Sequence, residues 1–389
     1  MATVKSYKNT AGQTLYEIFV YVGRDELTGK KRLIHRRGFA GKKEATLAAS
    51  RLTLDASTGS LSKQADIKFL KVYQEWNEGY KNMVRESTYD RTDTQIHNHI
   101  LPVFGSRQVA AITTAMLQKT VNRWATEATR NYKRWFTTTK RILAYAQRQG
   151  YIQRNPADMV IVPKYQPKAG DAPENFWDRQ ALAAFFGYLD KEREPEKFTL
   201  FRVLAFSGMR RGECLALTWD DIDFTGGTIR INKTLTQGKG GRQIVQPPKT
   251  RKSRRTVQMD PETMADLKRW RRIQMQVFMA LGINTYRPEQ LVFCNRKGQH
   301  RWLAEPSKWL RAIEKADEKS KKPKLPHRIT IHGFRHSHAS ALLAAGVGIK
   351  EVQERLGHED VQTTLAIYAH VTEQQNEKAA EKVANYLGF

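Results

Sequence analysis

Basic residues outnumber acidic ones in every segment of this 389-residue chain: 11 against 5 over 1–60, 18 against 8 over 61–170, and 37 against 26 over 171–389. The formal surplus is 27 positive charges. A surplus of that size repels itself, so the fold must be one that opposes a polyanion or an acidic membrane surface. Hydrophobic residues at 40% and aromatics at 10% are too many for a disordered polycation, which places the charge on folded domains. No apolar run approaches the ~18 residues of a membrane span, and the first residues lack the apolar stretch of a signal peptide. The two cysteines, Cys214 and Cys294, cannot supply a disulfide framework or a structural zinc site. A soluble intracellular protein that binds nucleic acid, and no membrane, is expected. An excess in all three segments favours wrapping the partner over touching it with one arm.

The pattern of apolar residues changes along the chain. Residues 4–40 alternate as three strands, with Thr10–Gln13 and Asp25–Gly29 as turns, and Lys42–Leu54 follows as a helix. The last strand and its approach carry Lys30, Lys31, Arg32, His35, Arg36 and Arg37. They are either a solvated basic edge or the face of a sheet laid in a DNA groove. Residues 65–160 read as helices: Ile67, Leu70, Tyr73 and Tyr80 keep a helical spacing, and Ser87–Asp90 resembles a capping box. Met116–Trp124 and Tyr132–Ala146 continue the period. In the last of these, Trp135, Phe136, Ile142, Leu143 and Tyr145 read as core, and Arg130, Lys133, Arg134, Lys140 and Arg141 as DNA contacts. Pro163–Pro173 reads as an extended linker. Beyond it, Asp178 can cap a helix, Thr228–Asn232 and Arg255–Met259 can pair as strands, and helices fit Pro261–Ala280, Pro306–Lys315 and His332–Ala345. The expected architecture is multidomain α+β, divided at 1–60 (a three-stranded sheet plus a helix), 64–165 (helical) and 172–389 (mainly α with a small sheet and a tail helix).

Four segments of the third region carry groups suited to a phosphate. Ser207–Leu215 places Arg210 and Glu213 three residues apart, behind a glycine that permits a tight turn. Pro247–Thr256 is a basic run containing Lys249 and Lys252, and a solvated loop or a localisation-like basic run together fit it equally well. In His332–His338, His332 and Arg335 share one helical face. His332 and His336 also have the spacing of a metal pair, but no acidic residue stands between them. Leu356–His370 puts Tyr368 shortly after His358, which follows a Leu-Gly turn.

In this order and spacing the four segments resemble the catalytic boxes of the tyrosine recombinase family, the integrases of temperate phages and conjugative transposons. Residues 64–165 are similar to that family's core-binding domain, and 1–60 to the arm-binding module of integrases from Gram-positive mobile elements. The resemblance implies Arg210 and Arg335 as the phosphate clamp and Lys249 as a general acid, with Lys252 an alternative beside it. It implies His332 and His358 as the two histidine positions, Tyr368 as the nucleophile and Glu213 as a supporting acid. Phe334, Ser337 and Cys214 depart from the usual residues, at packing positions.

The implied reaction forms a 3′-phosphotyrosine and a free 5′-hydroxyl, with no cofactor, metal or ATP. The implied partners are double-stranded DNA at core-type and arm-type attachment sites, three further copies of the chain on synapsed DNA, an excisionase and a host DNA-bending protein. The implied place is the bacterial cytoplasm. Two other readings stay open on sequence alone: a DNA-binding protein without activity, and a metal-dependent nuclease or transposase built on Asp220, Asp221 and Asp223. Near the C-terminus, Ala380, Val383, Ala384 and Leu387 form an apolar stripe that must dock on its own domain or on a neighbouring protomer.

Overall fold

A computed structural model describes residues 2–9, 12–24, 31–57, 67–127, 131–164, 175–248, 250–285, 287 and 289–357. Lys30, Arg130, most of the linker, Lys249, His358, Tyr368 and the tail stripe lie outside the described residues. The chain divides into two units, Met1–Gln166 and Pro167–Phe389. The architecture is the expected mixture of sheet and helix.

The first unit opens with an antiparallel sheet of β1 (Ala2–Lys8), β2 (Thr14–Arg24) and β3 (Lys31–Phe39), in that order, followed by α1 (Lys42–Ser57). The period of two sends Ile18 and Val20 to the helix side, where they pack with Ala45, Ala49 and Leu52. Register pairs Phe19 with His35, and Glu17 with Lys5 and Arg37, on the other side. There Phe19 stacks on His35 with ring centroids 4.2 Å apart, and Lys5 Nζ lies 5.7 Å from the Phe19 ring. Arg37 therefore shares the face opposite the helix, whereas Arg36 pairs with Ile18 and is exposed on the helix side.

A second core in this unit joins α2 (Phe69–Met83), α4 (Leu101–Phe104), α5 (Thr114–Glu127) and α6 (Tyr132–Arg148), while α3 (Glu86–Gln95) buries no side chain in it. Its α2 stripe is Phe69, Val72, Tyr73 and Trp76, a helical i, i+3, i+4, i+7 set. Leu70, expected in the stripe, is one position off it and exposed. The expected capping box also differs. Arg85 takes the extended cap conformation, so Ser87–Asp90 falls inside α3. In α6, Trp135, Phe136, Ile142 and Leu143 are buried and Tyr145 packs partly against them. Lys133, Arg134 and Arg141 are exposed, and Lys140 pairs with Asp158 at 2.9 Å.

The second unit comprises α7 (Arg179–Phe186), α8 (Pro195–Ser207), α9 (Arg211–Leu215), the strands β4 (Ile222–Asp223), β5 (Thr228–Ile231), β6 (Thr234–Gln237), β7 (Gln243–Gln246) and β8 (Arg255–Gln258), and helices α10 (Pro261–Ala280), α11 (Glu305–Glu318), α12 (Gly333–Ala344) and α13 (Ile349–Leu356). Asp178 caps α7, accepting from Ala181 N at 2.8 Å. β5 pairs with β8 with Ile229 opposite Val257, and β4 completes that sheet. β6 and β7 form a separate hairpin. Phe185 packs edge to face on Phe201 and Phe334, Trp177 edge to face on Phe334, and Phe201 at a tilt on Phe334, which fixes α12 against α7 and α8. Ser337 joins that lock: its hydroxyl accepts from Trp177 N at 2.8 Å.

Candidate active site

The site forms where α8, α9, β8, α12 and α13 converge. Helix α8 ends at Gly208, whose φ of +65° is left-handed. A Cβ there would stand 2.5 Å from Leu356 Cδ2 and 2.7 Å from His338 Cδ2, so only glycine lets these helices close. Two residues on, Arg210 takes the extended N-cap position of α9. Glu213 then reaches back: Arg210 N donates to its Oε2 at 2.9 Å and Arg210 Nη1 to its Oε1 at 2.8 Å. The half-exposed guanidinium of Arg210 is thus held from behind by a carboxylate that is 3% exposed.

Arg335 is 1% exposed. Its Nη1 donates to Gly208 O at 2.8 Å and its Nη2 to Leu356 O at 2.7 Å. Its Nε is buried and has no hydrogen-bond partner among the described residues. A third guanidinium, Arg255, donates from Nη2 to Glu213 Oε2 at 3.0 Å and from Nε to Arg355 O at 2.8 Å. Burial would raise the Glu213 carboxyl, but Arg255 and Arg210 outweigh it and hold it below its ordinary range. Burial, then Arg210 and Arg255, push the Arg335 guanidinium down to about 9. Two guanidiniums, Arg210 and Arg255, therefore bond one carboxylate, and Arg335 lies close enough to feel all three charges, so the cluster carries an unbalanced positive charge.

His332 stands at the N-cap of α12 with its ring edge-on to His336, centroids 4.8 Å apart. The residue is exposed at its outer side, yet the protein packed around the ring, followed by His336, Arg335 and Arg210, lowers its pKa. Its imidazole is neutral near pH 7 and can accept a proton. His338 is buried between Ala205 O, at 2.9 Å from its Nδ1, and Arg355, whose Nε donates to its Nε2 at 3.0 Å. That pairing leaves the proton on Nδ1 and the ring neutral.

The structure brings together Arg210, Glu213, His332 and Arg335. Lys249, His358 and Tyr368 lie outside the described residues. The basic run connects β7 to β8, and Lys252 is exposed in its single helical turn, Arg251–Ser253. Sequence reasoning passed over Arg255, His338 and Arg355. Arg255 had a readable signal, because strand alternation puts it on the face of buried Val257, where a charge requires a partner.

Two acids of the triplet are engaged in local bonding. Asp221 accepts from Thr218 N and Oγ1 and pairs with Lys233 at 2.5 Å. Asp223 accepts from Thr225 N and Gly226 N in a turn. Among the described residues no three His, Cys, Asp or Glu side chains gather as a metal site, and no helix is long and apolar enough to cross a membrane.

The phage integrase family model matches residues 179–375, a phage integrase N-terminal SAM-like domain matches 68–125, and an arm DNA-binding domain matches 5–56. The ICEBs1 integrase of Bacillus subtilis (strain 168) is 26% identical over 399 residues, covering 99% of this chain and all of that one. The integrase of Staphylococcus phage L54a is 28% identical over 184 residues, 46% of this chain and 49% of that protein. Among solved structures, a Tn1549 transposon integrase in complex with a circular intermediate DNA aligns with a TM-score of 0.64 at 20% identity, covering 82% of this chain and 100% of that one. A lambda integrase tetramer bound to a Holliday junction aligns with a TM-score of 0.56 at 15% identity, covering 91% and 95%. These structures share the fold. With the family model spanning half of its length, the chain belongs to the phage integrase family, the tyrosine recombinases.

Proposed function

We propose that Arg210 and Arg335 clamp the scissile phosphate of duplex DNA while Tyr368 attacks it, in a site-specific recombinase that integrates and excises a mobile element. The observation that carries this reading is the unbalanced cluster: two guanidiniums bonded to one buried carboxylate and a third, Arg335, within their field, its Nε lacking a partner among the described residues. A phosphodiester brings one negative charge, and attack by a phenolate adds a second. Fixed guanidiniums neutralise both without rearranging, which lowers the barrier.

The steps follow from the groups. The Tyr368 oxygen bonds to phosphorus as the bond to the 5′-oxygen breaks. The phenol proton passes to His332, whose lowered pKa leaves the ring unprotonated near pH 7. Lys249 gives a proton to the leaving 5′-oxygen, and His358 donates a hydrogen bond to a non-bridging oxygen. Glu213 holds Arg210 in place. Attack by a 5′-hydroxyl on the phosphotyrosine then rejoins a strand, and the energy of the broken bond is conserved in the ester.

In this reading residues 1–60 bind arm-type sites, 64–165 bind core-type sites, and 172–389 carry the chemistry. Four copies act on two duplexes in the cytoplasm, with an excisionase and a host DNA-bending protein setting direction. Support comes from the matched arm DNA-binding model and from the lambda integrase tetramer with its Holliday junction.

The test is incubation of the protein with nicked core-site DNA in chelator, followed by denaturing electrophoresis. Wild-type protein should give a covalent adduct and Tyr368→Phe none, with binding retained. An adduct formed by Tyr368→Phe places the nucleophile elsewhere.

A further inference from the structure

Arg255 joins three stretches of chain through one side chain that is 7% exposed. Its Nη2 meets Glu213 Oε2 at 3.0 Å, and Glu213 in turn holds Arg210. Its Nε meets the Arg355 carbonyl at 2.8 Å, in the last turn of α13, three residues before His358. Its Nη1 meets the Ser253 carbonyl at 3.2 Å, in the connection that also carries Lys249. The adjacent carbonyl at the end of α13, Leu356 O, is taken by Arg335. The otherwise orphaned carbonyls of that helix end are thus held by two guanidiniums of the site.

We propose that Arg255 is a positioning residue for strand cleavage, which ties the Arg210–Glu213 pair to the end of α13 that leads to His358. It acts through its neighbours, because each of its three nitrogens donates to a protein oxygen. A planar fork with fixed donor directions can hold three acceptors at once. A lysine at the same place keeps the charge but offers a single nitrogen, so it cannot bridge them. Charge alone is therefore separable from positioning. The inference rests on the roles proposed above for Arg210 and His358.

The experiment compares wild type, Arg255→Lys and Arg255→Gln as full chains on a nicked core-site duplex. Thermal melting, affinity for the uncleaved duplex and single-turnover adduct formation are read on each. Arg255→Lys should melt and bind like wild type yet form the adduct about 10²-fold more slowly, the loss typical of a displacement near 1 Å in a reacting group. Arg255→Gln should be at least as slow. In a Glu213→Gln background, Arg255→Lys should add little further loss, because both changes break the same tie.

Wild-type adduct rates in Arg255→Lys beside a slow Arg255→Gln would mean that charge suffices, and would overturn the proposal. Equal loss of duplex affinity and cleavage would overturn it as well. So would loss of the folded state in both variants, which would make Arg255 a structural cross-link. If wild type itself forms no adduct, the proposed catalytic roles fall and this inference with them; a normal wild-type adduct beside an unimpaired Arg255→Lys removes only Arg255.

Discussion

Arg210 and Arg335 are held differently, and the difference separates what losing each should do. Arg210 is half-exposed and among the described residues its guanidinium bonds Glu213 alone, so Arg210→Ala should slow cleavage about 10²–10³-fold and leave the melting temperature near wild type. Arg335 also supports the carbonyls of Gly208 and Leu356, so Arg335→Ala should lose cleavage and on the order of 1–3 kcal/mol of stability. Measuring adduct rate and melting on the same preparations checks both. The cluster also makes the unliganded protein sensitive to anions. Burial, Arg210 and Arg255 already depress the Arg335 guanidinium, so a bound anion relieves an existing cost. Sulfate should raise the melting temperature more than chloride at equal ionic strength, and Arg335→Ala should abolish the difference. Residue type and order made Arg210, Glu213, His332 and Arg335 legible, because phosphate chemistry asks for those groups. The Arg255 ties were harder to read, since its two long-range partners are a backbone carbonyl 100 residues away and a carboxylate 42 away.

The long elements were legible from period and punctuation. Helix α10 runs from Pro261 behind a capping Asp260, where proline at N1 and an aspartate cap fix the start, and it ends at Ala280 as expected. The β6–β7 hairpin was not anticipated. Its strands are four residues each, rich in Thr and Gln, and joined through Gly238–Gly241, so hydrophobic alternation is faint. The contact of α8, α12 and α13 depends on Gly208 and on the neutral ring of His338. Burial, then Arg355, pushes that ring down to about 4, below its value of about 6.5 in an unfolded chain. Between those values the unfolded state binds the proton and the folded state does not. The stability contribution is therefore intact above about pH 6.5 and is lost toward pH 4, on the order of 3 kcal/mol. Urea unfolding at pH 7 and pH 4.5 should show this loss in wild type and a smaller one in His338→Gln. Parallel losses in the two proteins would contradict the assignment.

At the scale of the molecule, the positive surplus in every segment fits a chain that meets DNA along its whole length. The basic sheet has its own core of Ile18, Val20, Ala45, Ala49 and Leu52, separate from the helical core that follows. A fragment beginning near Ser62 should therefore fold, bind and cleave core-site DNA, and lose affinity for separate arm-type sites. Recombination of full attachment sites as efficient as that of the intact chain would remove the arm-binding role from residues 1–60. The measurement that bears most directly on the central claim is the chemistry of both ends of a cleaved strand, with the adduct formed in chelator and digested by protease. The account predicts that the 3′-phosphate is esterified to a peptide containing Tyr368, and that the other end is a 5′-hydroxyl that a polynucleotide kinase can label. A free 3′-hydroxyl beside a 5′-phosphate, or a phosphate esterified to any other residue, would contradict it.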